Sequence, residues 1–206
     1  METLSAIASR HKTDKVTHGY CERYELYLSP MRKTVERVLE IGIAGGASLR
    51  MWRDYFPAVK TVLGVDHNKE SCEGVAADEG ITPLFGDATK AETWKQIKDG
   101  WGNNFDLIVD DGYHTTANII QTFQLAFPLV GAGKLYAIED LHASYLSDYN
   151  RDNALVGLRA DDNAVGWLKA FVDDVNERGN GQSGIQTFSS IESVHFHKSL
   201  VIIRKR

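Results

Sequence analysis

Acidic side chains follow three apolar, strand-like segments in the first half of the chain. Glu40 precedes a turn that begins at Gly42, Asp66 ends the next segment, and Asp87 follows a third. Because an acid at the end of a parallel strand can accept hydrogen bonds from both hydroxyls of a ribose, Asp66 suits the sugar of an adenosyl ligand. Asp87 and its neighbouring backbone could contact the edge of the adenine. The three acids predict a nucleoside-binding site.

The glycine turn distinguishes between two kinds of cofactor. A dinucleotide-binding GxGxxG turn aligned at Gly42 would have alanine at two of its three glycine positions, Ala44 and Ala47. Glu40 would also lie unfavourably close to a pyrophosphate, whereas S-adenosylmethionine carries a sulfonium and an ammonium group and no phosphate. The turn therefore predicts S-adenosylmethionine, with a nicotinamide cofactor as the alternative. A simpler explanation, that Glu40 and Asp66 only cap helices, is disfavoured because three acids occupy equivalent positions.

A second group of polar residues follows the fourth and fifth predicted strands. Asp111 comes directly after Asp110, and the pair Glu139 and Asp140 ends the fifth strand. Three carboxylates at neighbouring strand ends, without cysteine, predict a site for Mg²⁺ or Mn²⁺ that could hold a vicinal diol. His114 is the predicted general base for a substrate hydroxyl. Each residue alone is better explained as a helix cap or a loop acid, and only the set favours a site.

The elements that must position these residues alternate along the chain. Five strand–helix alternations predict a parallel sheet with helices on both faces, and the last two strands are too close for a crossover, so they should form an antiparallel hairpin. The expected fold is α/β, with a doubly wound, Rossmann-like sheet of seven strands that is mostly parallel. Strands are predicted at 36–42, 61–66, 81–85, 105–110, 133–139, 184–190 and 193–204, and helices at 46–55, 69–79, 91–99, 116–130 and 162–178.

Two segments lie outside this alternation. Residues 1–35 have a helical pattern with a polar interruption at 11–15, which predicts an N-terminal helical cap. Residues 141–161 form a long connection that contains Tyr145 and Tyr149, and a connection of this length predicts a substrate lid. The whole chain, 1–206, is expected to form one domain.

Bulk composition excludes several classes of protein. The 206 residues are 43% hydrophobic, and none of the apolar runs has the length of a membrane span. A net charge of −5 argues against a nucleic-acid partner, because such partners are held by basic residues. Cys21 and Cys72 lack the spacing of a disulfide framework or a zinc site. Since the N-terminus lacks the pattern of a secretory signal, a cytoplasmic location is expected.

Several motifs together are similar to those of a known family. They are Thr13-Asp14-Lys15 with His18 and Tyr20, the segment 24–30, Val38-Leu39-Glu40-Ile41-Gly42, Ser48-Leu49-Arg50-Met51-Trp52, and the segments 105–114 and 139–145. From about His11 to about Tyr145 the chain resembles the class I S-adenosylmethionine-dependent methyltransferases. More narrowly, it resembles the metal-dependent sugar O-methyltransferases of macrolide biosynthesis, of the mycinamicin and macrocin type. Cephalosporin-hydroxylase-like and rhamnosyl O-methyltransferases are near relatives.

The resemblance implies a role for each matching residue. It implies metal ligation by Asp111, Glu139 and Asp140, with His114 as the general base. One departure is Tyr113, where family members usually have serine. The implied cofactor contacts come from both halves of the site: Lys15, Tyr24, Glu40, Gly42, Ser48, Asp66, Asp87 and Asp110.

The predicted function is therefore an S-adenosylmethionine-dependent and Mg²⁺-dependent O-methyltransferase that acts on a hydroxyl of a sugar or another small natural product. A nicotinamide-dependent oxidoreductase and a non-catalytic S-adenosylmethionine-binding domain are the alternatives. The expected partner is a small acceptor such as a glycoside or a vicinal diol, and a homo-oligomer is compatible with the sequence. No nucleic-acid or membrane partner is expected.

Overall fold

The computed structural model describes residues 1–146, 163–176 and 190–206. These residues form one mixed sheet with helices on both of its faces. The strands are β1 (Arg37–Ile41), β2 (Thr61–Asp66), β3 (Ile81–Phe85), β4 (Phe105–Asp110), β5 (Val130–Ile138), β6 (Ile191–His197) and β7 (Leu200–Lys205). The helices are α1 (Leu4–His11), α2 (Tyr20–Leu28), α3 (Ala47–Tyr55), α4 (Lys69–Val75), α5 (Ala91–Trp101), α6 (Thr116–Ala126), α7 (Ala164–Lys169) and α8 (Phe171–Asn176).

The strand order of the sheet is β3-β2-β1-β4-β5-β7-β6. Strands β1 to β5 are parallel, and β7 pairs antiparallel with both β5 and β6. The strand order therefore changes direction between β1 and β4, the place where parallel sheets of this type bind ligands. The structure confirms the predicted fold class.

The register of the sheet brings the ends of three strands to one level. Ile41 of β1 is opposite Asp110 of β4, and Asp110 is opposite Ile138 of β5. The residues that follow these positions therefore lie side by side at the carboxyl edge. This arrangement confirms the prediction that the fourth and fifth strands are neighbours.

Alternation along the central strands divides the core between the two faces of the sheet. Ile41, Ile108 and Ile138 pack with α5 to α8 on one face, whereas Val38 and Val109 pack with α1 to α3 on the other. Side chains of successive strand residues point to opposite faces, and complete burial of each such side chain contributes about 1.5–3 kcal/mol. The same alternation sets the direction of the acids that follow the strands.

Residues 1–35 contain α1 and α2 together with two 3₁₀ turns, over Asp14–Val16 and Ser29–Met31. Leu4 and Ile7 of α1 and Tyr24 of α2 are buried in the same cluster as Trp52 of α3. The predicted polar interruption contains a short 3₁₀ turn over Asp14–Val16. The N-terminal helices thus complete one face of the sheet.

The C-terminal hairpin differs from its prediction. Both β6 and β7 fall largely within the range predicted for one strand, 193–204, because the chain turns at Ser199. Ser199 has a φ of +61°, a conformation that usually signals glycine or asparagine, so the sequence gives no turn signal there. Of the other predicted strand, 184–190, all but residue 190 lie outside the described residues.

Two further predictions are only partly covered. The helix predicted at 162–178 is divided into α7 and α8 at Ala170. Of the predicted lid, 141–161, the structure describes a 3₁₀ turn over Leu141–Tyr145 and residue 146, and the rest lies outside the described residues. Within the described ranges, every helix is too short or too polar to cross a membrane.

Candidate active site

A cavity of about 640 Å³ opens at the carboxyl ends of β1 to β4. Its volume lies within the range of roughly 300–1,000 Å³ that is usual for small-molecule and cofactor sites. The cavity is lined by five of the residues predicted to bind a cofactor: Gly42, Ser48, Asp66, Asp87 and Asp110. It is also lined by the predicted metal ligand Asp111 and the predicted base His114.

Gly42 allows the ends of β1 and β4 to approach each other closely. Its φ is +92°, and a Cβ at this position would lie 2.2 Å from the carbonyl oxygen of Asp111. A side chain would therefore push the two strand ends apart. Because the turn has no side chain at this point, its backbone can form one wall of the cavity.

Asp66 holds the glycine turn in place. Its Oδ2 accepts hydrogen bonds from the backbone N–H groups of Ile43, at 2.8 Å, and Ala44, at 3.3 Å. Its Oδ1 accepts a hydrogen bond from the N–H of Asn68 at 2.8 Å. An ionised carboxylate has about four acceptor positions, so Asp66 retains capacity for a further donor.

Two further acids of the cavity differ in their protonation. A hydrogen bond from the Thr89 hydroxyl lowers the pKa of Asp87. Burial raises the pKa of Asp110 to about 7, against the lowering effect of its hydrogen bonds from the Gly112 N–H and the Tyr136 hydroxyl, both at 3.3 Å. Asp87 is therefore the more fully ionised of the two at neutral pH.

Lys15 lies at the centre of three acids and makes no contribution to the lining of the cavity. Its Nζ is 2.8 Å from Asp111 Oδ2, 2.8 Å from Glu139 Oε2 and 3.0 Å from Glu40 Oε1, and the residue is 1% exposed. Burial opposes its charge, but the three carboxylates together raise the pKa of Lys15 well above its usual value. Lys15 is therefore a buried ammonium ion.

Two tyrosines of α2 hold the acid pair that follows β5. The hydroxyl of Tyr24 donates a hydrogen bond to Glu139 Oε1 at 2.6 Å, and the hydroxyl of Tyr20 donates one to Asp140 Oδ1 at 2.6 Å. Burial raises the pKa of Glu139 well above its usual value, against the opposing effect of Lys15. Both carboxylate oxygens of Glu139 thus have protein partners.

Glu40 is completely buried behind the cavity. Its Oε2 accepts a hydrogen bond from the indole N–H of Trp52 at 2.8 Å. Its Oε1 forms the ion pair with Lys15 and, among the described residues, accepts no hydrogen bond of good geometry. The predicted cofactor contacts of Glu40, Lys15 and Tyr24 stay predictions, since none of these residues lines the cavity.

A partly exposed cluster next to the cavity could hold a metal ion. In the part of the chain that the structure describes, ligand atoms of Asp111, His114 and Asp140 lie within 4.8 Å of one another. His114 Nε2 is 3.5 Å from Asp140 Oδ2 and 3.9 Å from Asp111 Oδ1. Carboxylate oxygens are the ligands that Mg²⁺ and Mn²⁺ prefer, so Asp111 and Asp140 fit such an ion. The third predicted ligand, Glu139, contacts Lys15 and Tyr24 instead.

Two of the six non-glycine residues with positive φ in the described part of the chain belong to this cluster. His114 has a φ of +47° and Asp140 a φ of +53°, which are uncommon for residues other than glycine. His114 belongs to the turn before α6 rather than to the helix itself, whose N-cap is Thr115. Such strain is typical of functional sites, where the surrounding structure enforces it.

Two contacts of the site have only weak signals in the sequence. Tyr20 is one turn of α2 away from Tyr24, and this spacing of four residues could have indicated that both face the acid pair. The hydroxyl of Tyr113 and Nε2 of His67 share a hydrogen bond at 3.1 Å, with their ring centroids 4.8 Å apart. Both residues line the cavity, so this pair links the ends of β2 and β4 across it.

The sheet topology and the position of the cavity define the Rossmann-like fold of the class I methyltransferases. The solved structure of the MycE methyltransferase from the mycinamycin biosynthetic pathway, in complex with Mg and SAH, has a TM-score of 0.84 and 28% identity. That match covers 99% of this chain and 54% of the MycE chain. No protein-family model matches the chain.

In sequence, the chain is similar to sugar O-methyltransferases. It is 32% identical to the 8-demethyl-8-alpha-L-rhamnosyl tetracenomycin-C 2'-O-methyltransferase of Streptomyces olivaceus, over 98% of this chain and 54% of the relative. It is also 32% identical to the mycinamicin VI 2''-O-methyltransferase of Micromonospora griseorubida, over 85% of this chain and 44% of the relative. The chain spans about half the length of the curated relatives it matches.

Proposed function

We propose that this chain is a catalytic domain that transfers a methyl group from S-adenosylmethionine to a hydroxyl of a sugar. The observation that carries this proposal is the continuity of two sites, because Asp111 and His114 belong both to the cavity lining and to the cluster with Asp140. A methyl donor in the cavity would therefore lie beside a base and a group of metal ligands. The relatives named for methylation of rhamnosyl tetracenomycin and mycinamicin VI support a sugar as the acceptor.

The cofactor half of the proposal uses the acids at the ends of β2 and β3. Asp66 would accept a hydrogen bond from a ribose hydroxyl, and Asp87 would contact the adenine edge. The backbone that follows Gly42 would lie against the rest of the cofactor, with Ser48 at the start of α3. S-adenosylmethionine supplies a methyl group on a positively charged sulfur, which suits an acidic site.

The metal half of the proposal uses the cluster next to the cavity. Asp111 and Asp140 would hold Mg²⁺ or Mn²⁺, and Glu139 is the third proposed ligand. The ion, when bound, supplies a positive charge that holds and acidifies an acceptor hydroxyl. His114 Nε2 would then accept the proton of that hydroxyl as its oxygen takes the methyl group.

Ligand titration distinguishes this proposal from its main alternative. The protein is titrated separately with S-adenosylhomocysteine and with NADH, and binding is followed by calorimetry. We expect micromolar binding of S-adenosylhomocysteine and no response to NADH. Binding of NADH alone would favour the nicotinamide-dependent oxidoreductase and reject the methyltransferase.

Methyl transfer to a panel of rhamnosides and other glycosides distinguishes an enzyme from a non-catalytic binding domain. We expect transfer in the presence of Mg²⁺ and its loss in excess EDTA, with recovery when Mg²⁺ is restored. Full activity in EDTA would reject the metal-dependent part of the proposal. The cytoplasmic location, the homo-oligomer, the single domain and the lid stay predictions.

A further inference from the structure

The buried ammonium group of Lys15 joins the ends of three neighbouring strands. Glu40 is the penultimate residue of β1, Asp111 and Glu139 directly follow β4 and β5, and a carboxylate oxygen of each lies 2.8–3.0 Å from Nζ. Lys15 itself comes from the N-terminal segment, 96 residues before Asp111 and 124 before Glu139. The lysine thus brings a distant positive charge to acids that the register of the sheet already places close together.

This buried group is short of positive charge. One ammonium ion faces three carboxylates, and Glu40 and Glu139 are both almost completely buried. Burial of charged groups is tolerated only when they are paired, so removal of one partner leaves uncompensated charge in the interior.

The group shares a carboxylate with the candidate metal site. Asp111 directs Oδ2 to Lys15, at 2.8 Å, while its Oδ1 faces His114, at 3.9 Å, within the cluster that could hold an ion. Glu139 is adjacent in sequence to Asp140, which completes that cluster. A cation bound by Asp111 would therefore lie close to the ammonium group and be repelled by it.

We propose that Lys15 is an internal counter-ion of the metal site, which positions Asp111 and Glu139 and limits the affinity of the site for a divalent cation. This inference rests on the proposed metal-dependent function. Without Lys15, the carboxylates lose their compensating charge, and a divalent cation becomes the main source of positive charge available to them. A variant without Lys15 should then be less stable in the absence of metal, and it should be stabilised by lower concentrations of a divalent cation.

The test is thermal unfolding of Lys15→Met over a range of Mg²⁺ concentrations, with Lys33→Met as the matched control. Lys33 is exposed and lies outside the site, so this control removes the same charge from the surface. We expect Lys15→Met to unfold at a lower temperature without metal. The Mg²⁺ concentration that gives half of the stabilisation should fall by about tenfold or more, because a nearby positive charge has been removed.

A double variant keeps the test decisive if Lys15→Met folds poorly. Lys15→Met combined with Glu139→Gln removes one charge of each sign, so it should be more stable without metal than Lys15→Met alone. An unchanged or weaker Mg²⁺ response in Lys15→Met, or no gain of stability in the double variant, would overturn the inference. If the unsubstituted protein does not respond to Mg²⁺, the proposed metal dependence fails, and the metal-free comparison alone decides the counter-ion role.

Discussion

His114 connects the two halves of the candidate site at the scale of a single residue. It lines the cavity, and its Nε2 lies 3.5 Å from Asp140 Oδ2. Its backbone has a left-handed conformation, immediately before the N-cap of α6. The N-cap of that helix, Thr115, accepts a hydrogen bond from the N–H of Asn118 and so fixes the turn that carries the histidine. The imidazole is therefore positioned by backbone geometry.

Replacing His114 with alanine tests its proposed role as a base. We expect His114→Ala to lose about 10²- to 10⁴-fold in the rate of methyl transfer, the usual contribution of a positioned base. Binding of S-adenosylhomocysteine should persist, because Asp66 and Asp87 are unchanged. Single-turnover methyl transfer and calorimetry measure the two effects.

A matched control for this substitution is His195→Ala. His195 lies on the edge strand β6, where its Nε2 is 2.9 Å from the Ser193 hydroxyl, outside the candidate site. Its removal should leave methyl transfer unchanged. Equal activity in His114→Ala and the unsubstituted protein would assign the proton transfer to another group.

Helix α2 is the element that connects the N-terminal segment to the site. Tyr20 and Tyr24 on one side of the helix contact Asp140 and Glu139, whereas the hydroxyl of Tyr27 shares a hydrogen bond with Nε2 of His197 at 2.9 Å. The three tyrosines share one face of the helix, with Tyr20 and Tyr24 against the acids and Tyr27 further along the axis against the C-terminal hairpin. This geometry provides an internal control.

Tyr24→Phe removes the hydroxyl that donates to Glu139 and leaves the ring. A buried acceptor without its donor costs about 1–3 kcal/mol, so we expect that loss in the free energy of unfolding by urea. The Mg²⁺ response should also change, because Glu139 is a proposed ligand. Tyr27→Phe should cost about 0.5–1.5 kcal/mol, the value of an ordinary hydrogen bond, and leave the Mg²⁺ response intact. The same Mg²⁺ response in both variants would contradict a link between Tyr24 and the metal.

The turn after β1 is the element with the strictest steric requirement. Gly42→Ala would place a Cβ 2.2 Å from a backbone oxygen at a φ of +92°. We expect a loss of about 2 kcal/mol or more in unfolding free energy, together with weaker binding of S-adenosylhomocysteine. Gly74→Ala on α4, whose added Cβ meets no atom within 4 Å, should instead stabilise the protein by roughly 0.5–1 kcal/mol. Equal stability of the two variants would show that the turn can relax.

At the scale of the whole molecule, sheet topology made most of the site predictable. Parallel strands of similar register bring their carboxyl ends to one edge, so Asp66, Asp87 and Asp111 could be placed together from the order of elements alone. The direction of a side chain beyond the strand was harder to predict. Glu40 is two residues after Val38, and Asp111 is two residues after Val109. Because side chains two residues apart in a strand point to the same face, both acids point toward the face that α1 to α3 cover.

Contacts between distant parts of the chain could not be read from sequence patterns. The sequence of residues 11–15 shows a polar interruption that contains Lys15. It does not show that Lys15 pairs with acids of three different strands. The turn at Ser199 was missed for a different reason, because a serine took a conformation that usually belongs to glycine. Local periodicity therefore predicted where the acids lie, and tertiary packing determined what they contact.

The ion pairs of Lys15 have a consequence for the order in which the protein folds. During synthesis, Lys15 is made 124 residues before Glu139, and Tyr24 is made 115 residues before the same acid. The N-terminal segment must therefore remain without these partners until β5 has been made. Loops of this length close slowly, because their entropy is lost before the contacts form. The candidate site thus cannot be completed until the fifth strand has been made and the first residues of the chain have reached it.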